Sequence, residues 1–239
     1  MFLKKELKVK DMLIKIQNLT KNFNDLKIID NLNFKIDENE IVALIGPSGC
    51  GKSTFLNIIS GLISEYEGEF ESNNPMIGYV FQEDRLLPWL NVVENIKIVN
   101  DQSDDKVRQL INEVGLSGFE NSFPYKLSGG MRQRCAIARG FNYDCNLLLM
   151  DEPFKSLDYN LRIDMLNMLV KLWNKKKKAI LFVTHEIDEA LLVANRIVVL
   201  GKRPSKIIKE MVLGDNIENR DITSERYIKY RNDIISCLK

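Results

Sequence analysis

The sequence predicts an α/β domain: a parallel-sheet core, an antiparallel strand region near its start and an inserted helical subdomain. Three observations carry this. Continuous apolar runs at 40–45 (EIVALI), 147–150, 179–183 and 196–200 alternate with helix-length segments, as in a parallel sheet covered on both faces. Residues 12–17 and 31–37 instead alternate apolar and polar side chains, the pattern of strands with one wet face. Residues 86–145 carry little strand character. The expected division is a charged extension at 1–11, one core formed by 12–85 and 146–214, a helical subdomain at 86–145 and a tail at 215–239.

Taken in order, the run 40–45 ends at Gly46, and 52–62 then reads as a helix, so a glycine-rich turn joins strand to helix. Residues 78–82 (GYVFQ) form a further short strand ending at Gln82. Residues 104–114 are an amphipathic helix with Val107, Leu110, Ile111 and Val114 on one face and Gly115 as its stop. A helix at 131–139 follows Ser128-Gly129-Gly130. Leu161, Met165, Met168 and Leu172 have helical spacing and read as core. The lysines at 175–178 read as a solvated cluster complementing a helix end rather than a lipid contact. The tail from about 215 reads as a surface helix.

The bulk numbers exclude several classes. The chain has 34 basic and 33 acidic residues, so no strong field draws it to nucleic acid. Four cysteines without CxxC spacing and a single histidine argue against structural zinc and fit a reducing compartment. No apolar run reaches the roughly 18–20 residues of a membrane span, and the first eleven residues lack the apolar stretch of a secretion signal. Two starts stay open, Met1 and Met12.

Three motifs carry chemistry. In GPSGCGKST, comprising Gly46, Pro47, Ser48, Gly49, Cys50, Gly51, Lys52, Ser53 and Thr54, the glycines let backbone N–H groups turn inward around phosphate oxygens. Lys52 reaches the β/γ-phosphates and Ser53 supplies a Mg²⁺ ligand. Cys50 reads as a small residue inside the loop, and its alkylation is expected to block ATP binding. In LLLMDEP, an apolar strand delivers Asp151 and Glu152 at its carboxyl end, where open α/β sheets bind ligands. Successive strand residues face opposite sides, so the two carboxylates have different tasks. In LSGG, Ser128, Gly129 and Gly130 open a helix with bared N–H groups, an anion site.

Together these motifs resemble the ATP-binding cassette (ABC) family, over nearly the whole stretch from Met12 to about Leu213. The resemblance implies a P-loop NTPase (RecA-like) core that hydrolyses ATP with Mg²⁺, two chains enclosing two ATP molecules. It implies that Asp151, Ser53 and Gln82 serve the metal, that Glu152 polarises the attacking water, and that His185 contacts the γ-phosphate. Gln82 also touches the water, and Ser128–Gly130 face the partner's γ-phosphate. Ser156-Leu157-Asp158 match the loop crossing the dimer interface. Phe23 matches the aromatic that stacks on adenine, with core packing as its rival.

EIVALIGPSGCGKST, YVFQEDRLLPWLNVVENI, LSGGMRQR and KRPSKI look like ATPases of nitrate/sulfonate/taurine-type importers. On that likeness the chain is a peripheral ATPase subunit on the cytoplasmic face of the membrane. It works as a homodimer beneath integral-membrane permease subunits and, through them, with an extracytoplasmic solute-binding protein. Leu86, Leu87 and Trp89 read either as a groove for the permease or as subdomain core. Two features depart from the family: Gly140 stands where a helix former is expected, and 96–106 is short. The other readings are a soluble ABC ATPase acting on nucleic acid or ribosomes, and a non-hydrolysing ATP sensor.

Overall fold

The computed structural model describes residues 12–155 and 157–238. The extension at 1–11 and Ser156 lie outside the described residues. β1 (Met12–Phe23) and β2 (Leu26–Asp37) form an antiparallel hairpin, and β4 (Glu67–Ser72) pairs on the other side of β1. The second sheet has six strands in the order β5-β6-β7-β3-β8-β9, namely Ile77–Val80, Leu147–Asp151, Ala179–Thr184, Ile41–Ile45, Arg196–Leu200 and Ile207–Val212. The first five run parallel and β9 is antiparallel to β8.

Strand alternation divides the interior into two cores. Ile41, Ala43 and Ile45 point to one face, where they meet α4 (Gly129–Asn142), α5 (Tyr159–Lys176), α6 (Ile187–Val193) and α7 (Glu225–Leu238). Val42 and Leu44 point to the other, where they meet α1 (Lys52–Ile59) and the antiparallel sheet. All five β3 residues are buried, which is why this strand reads as a continuous apolar run. Between β5 and β6 lie α2 (Val92–Lys97), α3 (Asp104–Glu113) and α4, with no strand among the described residues.

A buried guanidinium joins the two sheets. Arg196 donates to Glu40 Oε1 at 2.7 Å, to the Lys35 carbonyl and to Glu210 Oε2 at 3.0 Å. Burial disfavours its charge, but the Glu40 and Glu210 carboxylates outweigh this and hold its pKa above the usual value.

Several boundaries differ from the sequence reading. The first helix stops at Ile59 rather than 62, because Gly61 takes a left-handed φ of 76°. β5 ends at Val80, so Gln82 sits in the loop beyond it. α4 runs from Gly129 to Asn142 and passes through Gly140 without a break. A Cβ at Gly140 would lie 2.8 Å from Val80 Cγ2 and 3.2 Å from Leu148 Cδ1. Glycine is therefore what lets the helix lie directly on β5 and β6. Leu161 is half-buried at the rim of the core stripe, while Met165, Met168 and Leu172 are buried. Lys178 is not part of a solvated cluster: it is buried, donating to the Tyr143 carbonyl and lying 3.5 Å from Cys145 Sγ.

Candidate functional site

The turn between β3 and α1 is shaped by its glycines. Gly49 and Gly51 take φ of 74° and 109°, and a Cβ on Gly51 would come within 2.7 Å of Ile28 Cγ2. Lys52 is buried and donates to the carbonyls of Gly46 at 2.8 Å and Pro47 at 3.1 Å, so its ammonium rests inside the loop. Ser48, Gly49, Gly51, Lys52, Ser53 and Thr54 wall a cleft of about 390 Å³. Gly46, Pro47 and Cys50 are not part of that wall. Cys50 is buried beneath the loop, its Sγ 2.8 Å from where a Gly46 Cβ would stand, and burial pushes its thiol pKa up. Its burial and disfavoured thiolate make alkylation of Cys50 slow.

The opposite wall comes from the ends of parallel strands. Asp151 closes β6, paired with Val183, with the Ser53 hydroxyl beside its carboxylate. Burial raises its pKa, the Ser53 hydroxyl counters this, and the nearby Glu152 charge adds to the rise. A hydroxyl and an electrostatically stressed carboxylate side by side are hard oxygen donors that suit Mg²⁺.

Glu152 leaves the strand with a left-handed φ of 44°, anchored by its N–H to the Val183 carbonyl at 3.1 Å. Burial favours its neutral form, but the Lys155 ammonium, with His185 and Lys52, outweighs this and holds its pKa below the ordinary carboxylate value. Lys155 Nζ lies 2.5 Å from Glu152 Oε2, and His185 Nδ1 lies 3.6 Å from Oε1. His185 follows β7 directly and is half-exposed.

Ser128 caps α4, its hydroxyl accepting from the Met131 N–H at 3.3 Å. Gly129 is exposed, while a Cβ on Gly130 would come 2.5 Å from Leu161 Cδ2, so Gly130 sets the approach of α4 to α5. Two arginines of α4 hold the loop after Gln82. Arg132 pairs with Asp84 at 2.9 Å, and Arg139 donates to the Asp84 and Arg85 carbonyls at 3.0 Å. Beneath this loop, Gln82, Gly129, Arg132, Glu152 and Lys155 help line a second cleft of about 420 Å³. None of Ser128, Gly129 and Gly130 reaches the phosphate-loop cleft of the same chain.

The remaining residues are more peripheral. Phe23 ends β1 at 45% exposure, with Lys21 Nζ 4.8 Å from its ring centre, and it is not part of the core. Asp158 caps α5 by accepting from the Leu161 N–H at 3.0 Å. Three cleft residues escaped the sequence reading: Ile28, Lys155 and Arg203. Arg203 reaches the cleft because its segment docks on β2, with Ser205 N–H donating to the Ile28 carbonyl at 2.8 Å and Asp30 N–H to Ser205 O at 3.1 Å. The stretch KRPSKI was visible, but nothing local marks it as cleft wall.

A phosphate loop, paired strand-end carboxylates and a detached glycine-opened helix define a nucleotide-hydrolysing cassette. The ABC transporter family model matches residues 29–155, more than half of the 239-residue chain. The chain is 42% identical to an uncharacterized ABC transporter ATP-binding protein of Methanocaldococcus jannaschii, over 98% of this chain and 95% of that protein. It is 42% identical to the aliphatic sulfonates import ATP-binding protein SsuB of Bacillus cereus, over 94% and 95%. Among solved structures, it resembles the dimeric ATP-binding cassette MJ0796 bound to ADP and Pi. The TM-score is 0.72 and the identity 30%, covering 85% of this chain and 100% of that one. The chain belongs to the ABC transporter family and is an ATPase of that type.

Proposed function

We propose that the protein is the ATP-hydrolysing subunit of an importer for a small solute, with sulfonates the class that its relatives' names suggest. Two chains bind two ATP molecules, each held between the phosphate loop of one copy and Ser128–Gly130 of the other. The observation that carries this reading is the split site: Lys52, Ser53, Gln82 and Glu152 converge on one cleft, while Gly129 lines only the neighbouring cleft and does not reach the phosphate loop. A second copy supplies the missing wall.

Within each site, Ser53 and Asp151 are the oxygen donors for Mg²⁺, with Gln82 at the rim. Bound there, the ion would neutralise phosphate charge. Lys52 leaves its loop carbonyls for the phosphates, Glu152 orients and polarises the attacking water, and His185 contacts the γ-phosphate. Phe23, exposed at the hairpin end, stacks on the base. Asp158 holds the start of α5 at the dimer face.

The permease face is the segment after Gln82. Leu86 is buried in the core, whereas Trp89 is 68% exposed. Asn95 fixes the loop between them, accepting from Leu87 N–H at 2.8 Å and donating to the carbonyls of Leu87, Leu90 and Asn91. Trp89 is therefore a preformed apolar knob for a permease helix, with the solute-binding protein engaged indirectly on the other side. No helix among the described residues is long and apolar enough to cross a membrane, so a separate chain supplies the path. The balanced charge favours this over a nucleic-acid or ribosome partner.

The test is purification of a tagged Glu152→Gln protein from native membranes with ATP, identifying every chain that accompanies it. A polytopic permease and a solute-binding protein are expected. Recovery with ribosomal or DNA-associated proteins alone would replace the transport reading.

A further inference from the structure

Residues 152–155 form a tight turn, closed by the Lys155 N–H donating to the Glu152 carbonyl at 3.2 Å. Its geometry is fixed at both ends. Glu152 enters in the left-handed region, and Phe154 is fully buried as an anchor. The turn folds Lys155 back over the Glu152 side chain, where the 2.5 Å ion pair forms. Lys155 thereby borders both the phosphate-loop cleft and the cleft beneath the Gln82 loop. Its own side chain is 44% exposed, against 14% for Glu152. The cation is free to swing away; the carboxylate is not.

We propose that Lys155 is a positioning residue for Glu152, restraining its carboxylate in the single cassette and letting go when the site closes. The proposal rests on the reading of Glu152 as the residue that polarises the attacking water. A carboxylate accepts through two oxygens. The Lys155 ammonium lies against Oε2 as an ion pair without hydrogen-bond geometry, and His185 Nδ1 is 3.6 Å from Oε1, so a water approaching Oε2 must displace the ammonium. As long as the pair persists, the site is assembled but its acceptor is engaged. Closure of a second copy over the cleft turns the partly exposed ammonium out toward solvent and frees the carboxylate. Because the pair is partly exposed, the restraint is modest, roughly two- to fivefold in rate.

The experiment compares wild type, Lys155→Met, Lys155→Gln, Lys155→Arg, Glu152→Gln and the Lys155→Met/Glu152→Gln double variant. Steady-state hydrolysis at dilute protein gives kcat and KM, and titration with a fluorescent ATP analogue gives affinity and certifies folding. Lys155→Met and Lys155→Gln should raise kcat roughly two- to fivefold with KM and affinity within about twofold of wild type. Lys155→Arg, which keeps the ion pair, should match wild type. An unchanged or lower kcat in both neutral variants overturns the proposal. So does a raised KM with weaker nucleotide binding, which would make Lys155 a phosphate ligand instead. The two Glu152→Gln proteins should be equally inactive. If Glu152→Gln alone turns over normally, the reading of Glu152 fails and the proposal falls with it. If Glu152→Gln is inactive but Lys155→Met and Lys155→Gln leave kcat unchanged, the proposal fails alone.

Discussion

Glu152 occupies a backbone region that costs a residue bearing a Cβ on the order of 1–2 kcal/mol, held there by its N–H bond to Val183. A second acidic residue behind the site behaves differently. Glu189 is buried and accepts from Thr184 Oγ1 at 2.6 Å, next to His185. Burial pushes its pKa up to about 7; the Thr184 hydrogen bond and the Arg162 guanidinium 3.5 Å away offset this only in part. Its folded pKa thus exceeds the unfolded value of 4.5, and the folded state binds the extra proton between those two values. The stabilisation is fully present below the unfolded pKa and is lost as pH rises toward about 7. Urea unfolding across that window should show stability falling with pH in wild type and a flatter profile in Glu189→Gln. Equal slopes would mean that Glu189 is ionised throughout.

At the scale of elements, the contact between α4 and β5 rests on Gly140. Alanine there gains about 1 kcal/mol in helix propensity but puts a Cβ 2.8 Å from Val80 Cγ2, on a side chain that is stiff at χ1. Overpacking costs about 1–3 kcal/mol, so Gly140→Ala should lower the urea midpoint despite its better propensity. A rise in the midpoint would show that helix and strand separate at no cost. The same element shows what was legible in the sequence. β3, β6, β7 and β8 read clearly because both faces are buried, which makes every residue apolar except Asp151, Thr184 and Arg196 at strand ends. β4 (EGEFES) has Phe70 as its one large apolar residue and is a strand through its pairing with β1, not through its own pattern. β9 alternates along an edge and depends on β8 in the same way. The motif residues of the site announce their chemistry through spacing. Lys155 and Arg203 do not, because a turn and a docked loop bring them to the cleft from segments with no local signature.

At the scale of the molecule, one chain holds the phosphate loop, Gln82 and Glu152 on one cleft, whereas Gly129 faces the neighbouring cleft beneath the Gln82 loop. The arginine contacts of α4 with the loop after Gln82 tie the signature helix to the cleft rim. ATP shifts such a system only by binding the closed dimer better than the open chains. On the proposed reading, hydrolysis reverses the shift by removing the γ-phosphate. The central claim is that Glu152 performs the hydrolytic step of a site completed by a second copy. The most direct measurement follows ATP hydrolysis and molecular mass together, for wild type and Glu152→Gln, in Mg²⁺ and ATP. The account expects Glu152→Gln to lose roughly 10²–10⁴ in rate while ATP holds it as a stable dimer that wild type forms only transiently. Near-normal turnover by Glu152→Gln, or a variant that binds ATP yet stays monomeric, would contradict it.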